Sequence, residues 1–260
     1  ITETLIEDQA ALEISDLYRS ISGVSSNNFS TVTMRGFAQD EILYDGMKGD
    51  PYEGFSIPQL FTIEQIQVLK GPSGALYGAG EPGGVINYVT KKPTYEQVNK
   101  IEVGVGNKDF LSGSFESSGA LNEDGSQRYR VGIYSDGQNS YRNNVEEENQ
   151  TIDLGYAWDI NDDTTLNFQY TNIYQHIDGA RLRGIPTDDD GNFLADTSWN
   201  NNEASDFQEL EAQVVQASLQ HNFTDWLDSN FTLRAFENKE TQNYHELNSL
   251  LDTDNDGDID

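Results

Sequence analysis

The sequence predicts a small α+β domain followed by an antiparallel β-barrel portion of about seven strands. Three observations carry that expectation. The texture changes near residue 95, from mixed short elements to long alternating runs. Those runs are joined by short turns at one end and long connections at the other, as in membrane barrels. The composition is rich in strand-forming aromatics, with 13 Tyr, 12 Phe and 3 Trp.

The elements follow in order. From Thr4 to Ser20 the apolar positions Leu5, Leu12, Ile14 and Leu17, with Ile21 just beyond, predict one or two short helices. Short strands are expected at Thr31–Arg35, Ile42–Tyr44, Gln65–Leu69 and Val85–Thr90, separated by turns rich in Gly or Pro. Residues 1–95 are read as one domain and 96–260 as the barrel portion. In the latter, Ile152, Leu154, Tyr156 and Trp158 alternate with Thr151, Asp153, Gly155 and Ala157. Leu166–Tyr174 and Val215–Phe223 alternate likewise, each over roughly 9–11 residues, the span a tilted strand needs to cross a bilayer. Turns are expected at Asn122–Ser126, Asn161–Thr164 and Asp225–Asp228, and long connections at Gly137–Glu148 and Gly179–Gln208. A soluble sandwich also alternates. It would carry more Val, Ile and Leu, without Tyr156, Trp158, Tyr174 and Trp226 near strand ends.

Charge narrows the function. Acids outnumber bases 45 to 15, for a net charge of −30, most steeply after Asp188. A nucleic-acid partner needs clustered Lys and Arg, so none is expected. The aromatics argue against disorder despite that charge. There are no cysteines, hence no disulfide framework or thiolate metal site. No run of 18 apolar residues is present, which excludes a membrane-spanning helix and says nothing of barrel strands. No nucleophile–base pair stands out of the acidic background, so an enzyme is not predicted.

Ile63–Pro93 reads IEQIQVLKGPSGALYGAGEPGGVINYVTKKP. One strand ends at Lys70, Gly71, Pro72 and Gly74 force a turn, and a second strand runs from Val85 to Thr90 before a linker begins at Pro93. Gly78, Gly80 and Gly83 match GxGxxG, but Pro82 lies inside the motif and β-branched residues follow it. The helix a dinucleotide site requires is therefore not expected. The stretch resembles the C-terminal half of the plug of TonB-dependent outer-membrane receptors, particularly the siderophore branch. VLKGP, ALYG, GEPGGVIN and VTKKP stand in the family's order. Arg35-Gly36-Phe37, Tyr44-Asp45-Gly46 and the opening that ends in Ile21-Ser22-Gly23-Val24 resemble the same plug, with Ser22 where the family has Pro. Gly184-Ile185-Pro186 and Asn222-Phe223-Thr224-Asp225 resemble barrel segments more loosely.

The resemblance implies a receptor for ferric siderophore uptake in the bacterial outer membrane. A barrel of about 22 strands would surround the N-terminal plug, with long loops extracellular and lipid around the wall. The TonB–ExbB–ExbD complex would energise it, and the siderophore is cargo, with no resident cofactor required. Cobalamin or an oligosaccharide is the alternative cargo, and a calcium-dependent surface binding protein the alternative class. Neither a signal peptide nor a TonB box is recognisable at Ile1, so the chain is expected to be a piece of a longer one.

Candidate ligand residues follow from the resemblance. Arg35, of the RGF element, reaches the ligand in ferric-siderophore relatives; a structural ion pair is its other reading. Tyr52 and Phe55 lie on the expected outward loop of the plug and could stack on a chelate. Phe61 falls at an apical position often aromatic in the family, or in the plug core. Tyr77 is read as packing. Arg181 and Arg183 stand as bases among acidic loops, to attract an anionic ferric chelate or to pair with Asp178 or Asp188. Asp252, Asp254, Asp256 and Asp258, with Gly257, match the first part of a calcium loop. His176, His221 and His245 have no metal-ligand spacing.

Overall fold

Two helices open the chain, α1 (Glu3–Asp8) and α2 (Ile14–Tyr18). Asp16 sets the start of the second. Its carboxylate accepts the N–H groups of Leu12 and Glu13 at 3.2 and 3.3 Å, half of a capping box. At 6 and 5 residues neither helix would persist alone. Burial of Ile6, Ile14, Leu17 and Tyr18 in a common core holds them. The computed structural model describes residues 1–26, 32–39, 42–52, 56–71, 82–188 and 190–246.

The N-terminal part contains two small sheets. Strands β1 (Val24–Ser26), β2 (Val32–Met34) and β3 (Phe37–Gln39) form the first. The second has β4 (Ile42–Tyr44), β5 (Met47–Lys48), β6 (Ile63–Lys70) and β7 (Gly84–Thr90) in the order β5-β4-β7-β6. Only β4 and β7 run parallel; the other pairs are antiparallel. The two strands expected to flank the glycine-rich turn are thus neighbours in register, from Ile66 opposite Tyr88 to Lys70 opposite Gly84. Most of the turn itself, residues 72–81 with Tyr77, Gly78 and Gly80, lies outside the described residues. Val32, Met34, Ile42, Ile66, Ile86 and Tyr88 close the core under both helices.

From residue 98 the chain is a meander of seven antiparallel strands. These are β8 (Val98–Val105), β9 (Leu111–Ala120), β10 (Gln127–Asn139), β11 (Glu146–Asn161), β12 (Thr164–Asp178), β13 (Phe207–Thr224) and β14 (Leu227–Asn243). Each pairs with its sequence neighbours, and β8 and β14 form the two edges, so the sheet is not closed. Connections 121–126, 162–163 and 225–226 lie at one end, and 106–110, 140–145 and 179–206 at the other. The last set departs from expectation at 137–148, because β10 and β11 stay paired to Asn139 and Glu146. Strands of 16 and 18 residues at β11 and β13 likewise exceed the 9–11 expected. The polar stretch Glu146–Glu148 reads as loop, yet it completes the ladder.

The two faces of this sheet decide between barrel and sandwich. Asp153, Gln175 and Gln208 are 0, 1 and 2% exposed, on the face that packs against the N-terminal domain. Ile101, Val105 and Leu233, on the other face, are 76, 79 and 62% exposed. Water would penalise that arrangement, whereas hydrocarbon favours it. The concave side is a barrel wall around a plug.

Candidate functional site

Plug and wall meet through a polar network. Arg130 on β10 donates to Asp153 at 3.1 Å and to Glu116 at 2.6 Å. Glu116 also receives Lys91 at 3.0 Å. Thr90 at the end of β7 donates to Gln169, which donates to Asp153. Asp45 accepts from Lys92 at 2.8 Å, from the Thr90 N–H at 3.0 Å and from Gln216 of β13 at 2.7 Å. Burial works to raise the Asp45 carboxyl, but Lys92 and the Thr90 bonds outweigh it and hold it below its ordinary value. Glu13 is the opposite case. Burial first, then the charge of Glu147 on β11, push it from 4.5 up to about 8.

At the long-loop end a cavity of about 320 Å³ opens between plug and wall. Ile57 lines it from the plug, with Lys108, Tyr141, Val145, Ile177 and Leu182 from the wall and its connections. Gln175 fixes Ile57 as a paired strand would, accepting its N–H at 2.7 Å and donating to its carbonyl at 3.0 Å. Glu147, which also lines the cavity, accepts from Gln138 at 3.3 Å and from Asn149 at 2.9 Å. A neighbouring recess of about 610 Å³ is lined by Asp109, Asp136, Glu146, Glu147 and Glu148.

The residues singled out from the sequence fall in three places. Arg181 and Arg183 both engage Glu246, at 2.8 and 2.5 Å, and not Asp178 or Asp188. Tyr244 covers the Arg181 guanidinium at 3.8 Å. Asp178 contacts His176, and Asp188 caps its own turn by accepting from Asn192. Tyr52 and Phe61 come together at a seam of about 30 Å³ between plug and wall. Tyr52 is buried with Ile173, Leu210 and Ala212, and its hydroxyl accepts the Gln59 N–H. Phe61 stacks on Tyr134 with centroids 5.2 Å apart. Packing therefore occupies both rings in this arrangement. Arg35 stands elsewhere, exposed on the β2–β3 turn at φ +53, its side chain running past Gly23 to Gly71. Phe55, Asp252, Asp254, Asp256 and Asp258 lie outside the described residues. Among the described residues no His/Asp/Glu group is placed to hold a metal ion.

Comparison with known proteins bears on this arrangement. Residues 1–85 match the model of the TonB-dependent Receptor Plug Domain. These residues carry a plug domain of the TonB-dependent receptor type. The ferrichrome outer membrane transporter/phage receptor of Escherichia coli K12 is 27% identical to this chain over 231 residues, covering 84% of it and 30% of the relative. The ferripyoverdine receptor of Pseudomonas aeruginosa is 29% identical, over 86% of this chain and 29% of the relative. A crystal structure of the ferripyoverdine receptor of the outer membrane of Pseudomonas aeruginosa, bound to ferripyoverdine, superposes with a TM-score of 0.86 at 25% identity, covering 94% of this chain and 34% of that one. The chain thus spans about three-tenths of the length of the curated relatives it matches.

Several residues of the cavity were not singled out from sequence. Tyr141 carried a signal, being an aromatic beside Arg142 in a polar turn, and the two are in contact at 5.6 Å. Ile57, Leu182 and Ile177 carried none, since an apolar residue in a strand or loop does not declare which surface it lines.

Proposed function

We propose that this chain is the plug (residues 1–95) and the first part of the barrel (96–260) of an outer-membrane receptor that takes up a ferric siderophore, energised by the TonB–ExbB–ExbD complex. The observation that carries the reading is the inverted wall, with its apolar face outward and a polar face gripping a plug of the matching family. The relatives are a ferrichrome outer membrane transporter/phage receptor, a ferripyoverdine receptor and a ferrioxamine B receptor. In this reading the long-loop end faces outside, the cavity at Ile57, Tyr141 and Leu182 is part of the ligand surface, and lipid surrounds the wall. Arg35 is a further ligand candidate, because it stands exposed on a plug turn.

The test uses the intact receptor that carries this chain. Ferric siderophores should quench its tryptophan fluorescence, Trp199 in connection 179–206 being a suitable reporter. Uptake of radiolabelled iron in cells should cease when TonB is deleted. Binding of cobalamin with no response to any ferric chelate would reverse the assignment.

A further inference from the structure

The charge placed around the cavity bears on which chelate the receptor accepts, an inference that rests on the ferric-siderophore reading. Three guanidiniums approach this end of the molecule. Arg181 and Arg183 share the Glu246 carboxylate, and the face of Arg181 is covered by Tyr244. Arg142 is turned onto backbone carbonyls, donating to Trp199 at 2.7 Å. An anionic ligand would have to break these contacts before it could use them. Among the described residues the cavity lining itself carries one cation, Lys108, against Glu147. The neighbouring recess adds Asp109, Asp136, Glu146 and Glu148. The remaining lining is uncharged: Ile57, Val145, Ile177, Ala180 and Leu182 with the Tyr141 ring, and the polar Gln138, Asn139 and Ser140. Such walls suit an uncharged surface.

Siderophore chelates differ sharply in charge. Each hydroxamate binds as a monoanion, so three neutralise a ferric ion. Each catecholate binds as a dianion, so three leave the complex triply negative. We propose that the receptor takes a neutral or weakly cationic ferric trihydroxamate and rejects ferric tricatecholates, with Glu147 and the acidic recess as the repelling element. Discrimination by repulsion is a general route to specificity.

The experiment compares a linear ferric trihydroxamate with a ferric tricatecholate on the intact receptor, by fluorescence quenching at low and at high salt. The trihydroxamate should bind about 100-fold more tightly at low salt, since like charge across an interface costs several kcal/mol. Raising the salt should narrow the gap by screening. Glu246→Gln, which removes the carboxylate charge shared by Arg181 and Arg183, should tighten the tricatecholate about tenfold and leave the trihydroxamate unchanged. Equal or tighter binding of the tricatecholate by the unaltered receptor overturns the proposal. If neither chelate binds and cobalamin does, the siderophore reading itself fails and this inference falls with it.

Discussion

Glu13 and Asp45 are plug carboxylates buried against the wall, and their surroundings push them in opposite directions. Glu13 faces Glu147 and Asp136 from the wall and Asp16 from its own helix, with the Ser15 hydroxyl donating at 3.0 Å. Its folded value of about 8 lies above the ordinary 4.5, so the folded plug holds a proton there that the unfolded chain releases. Its contribution is therefore full below pH 4.5 and fades as pH rises through about 8. Hydrogen exchange at α2 should slow on acidification across that window, and Glu13→Gln should flatten the dependence. An unchanged profile in the variant would remove Glu13 as its source. Asp45 titrates with the opposite sign: its contribution is present above the ordinary carboxylate value and is lost as pH falls through the depressed one. Asp45→Asn should cost roughly 2 kcal/mol at neutral pH, because Lys92, Thr90 and Gln216 lose a charged acceptor. Proteolytic release of the plug from the intact receptor would measure it, and a change under 0.5 kcal/mol or so would mean the network repairs itself.

The elements were largely legible because each obeys a local rule. Alternation at Thr151–Trp158 announced β11, and the glycines at 71 and 84 announced the ends of β6 and β7. Gly84 shows why that punctuation is required. It sits at φ +144, and a Cβ there would lie 2.2 Å from the Leu69 carbonyl oxygen and 2.4 Å from the Met34 sulfur. Gly84→Ala should destabilise the plug by more than about 2 kcal/mol, combining backbone strain with a clash against backbone. Denaturant titration of the intact receptor would show it as earlier loss of plug signal, and a neutral result would mean that β6 can shift. What stayed illegible is the partner of each side chain. Arg183 gives no sign that its carboxylate will be Glu246, 63 residues away. Tyr52 reads as a ligand platform, being an aromatic in a polar loop. Only the approach of β12 and β13 makes it packing here.

At the scale of the molecule, alternation predicts that the wall has two faces without saying which is buried. The inverted burial answers that, and it can be tested apart from any ligand. The outward rows change along the strands. Val215 stands in an apolar row with Leu154 and Tyr170, whereas Glu209 lies three rows nearer the long-loop end, beside His176 and Glu148. If hydrocarbon covers the first row and water or headgroups the second, one charge must have different effects at the two positions. Val215→Arg should cost about 2–4 kcal/mol and Glu209→Arg about 0–1, the depth dependence expected of a lipid-facing barrel surface. Reversible folding of the intact receptor into phosphatidylcholine vesicles measures both. A soluble sheet with an exposed apolar face would tolerate both arginines and gain solubility from the first. Equal, small costs would therefore sink the membrane wall, and the receptor reading built on it, however well the plug matches its family.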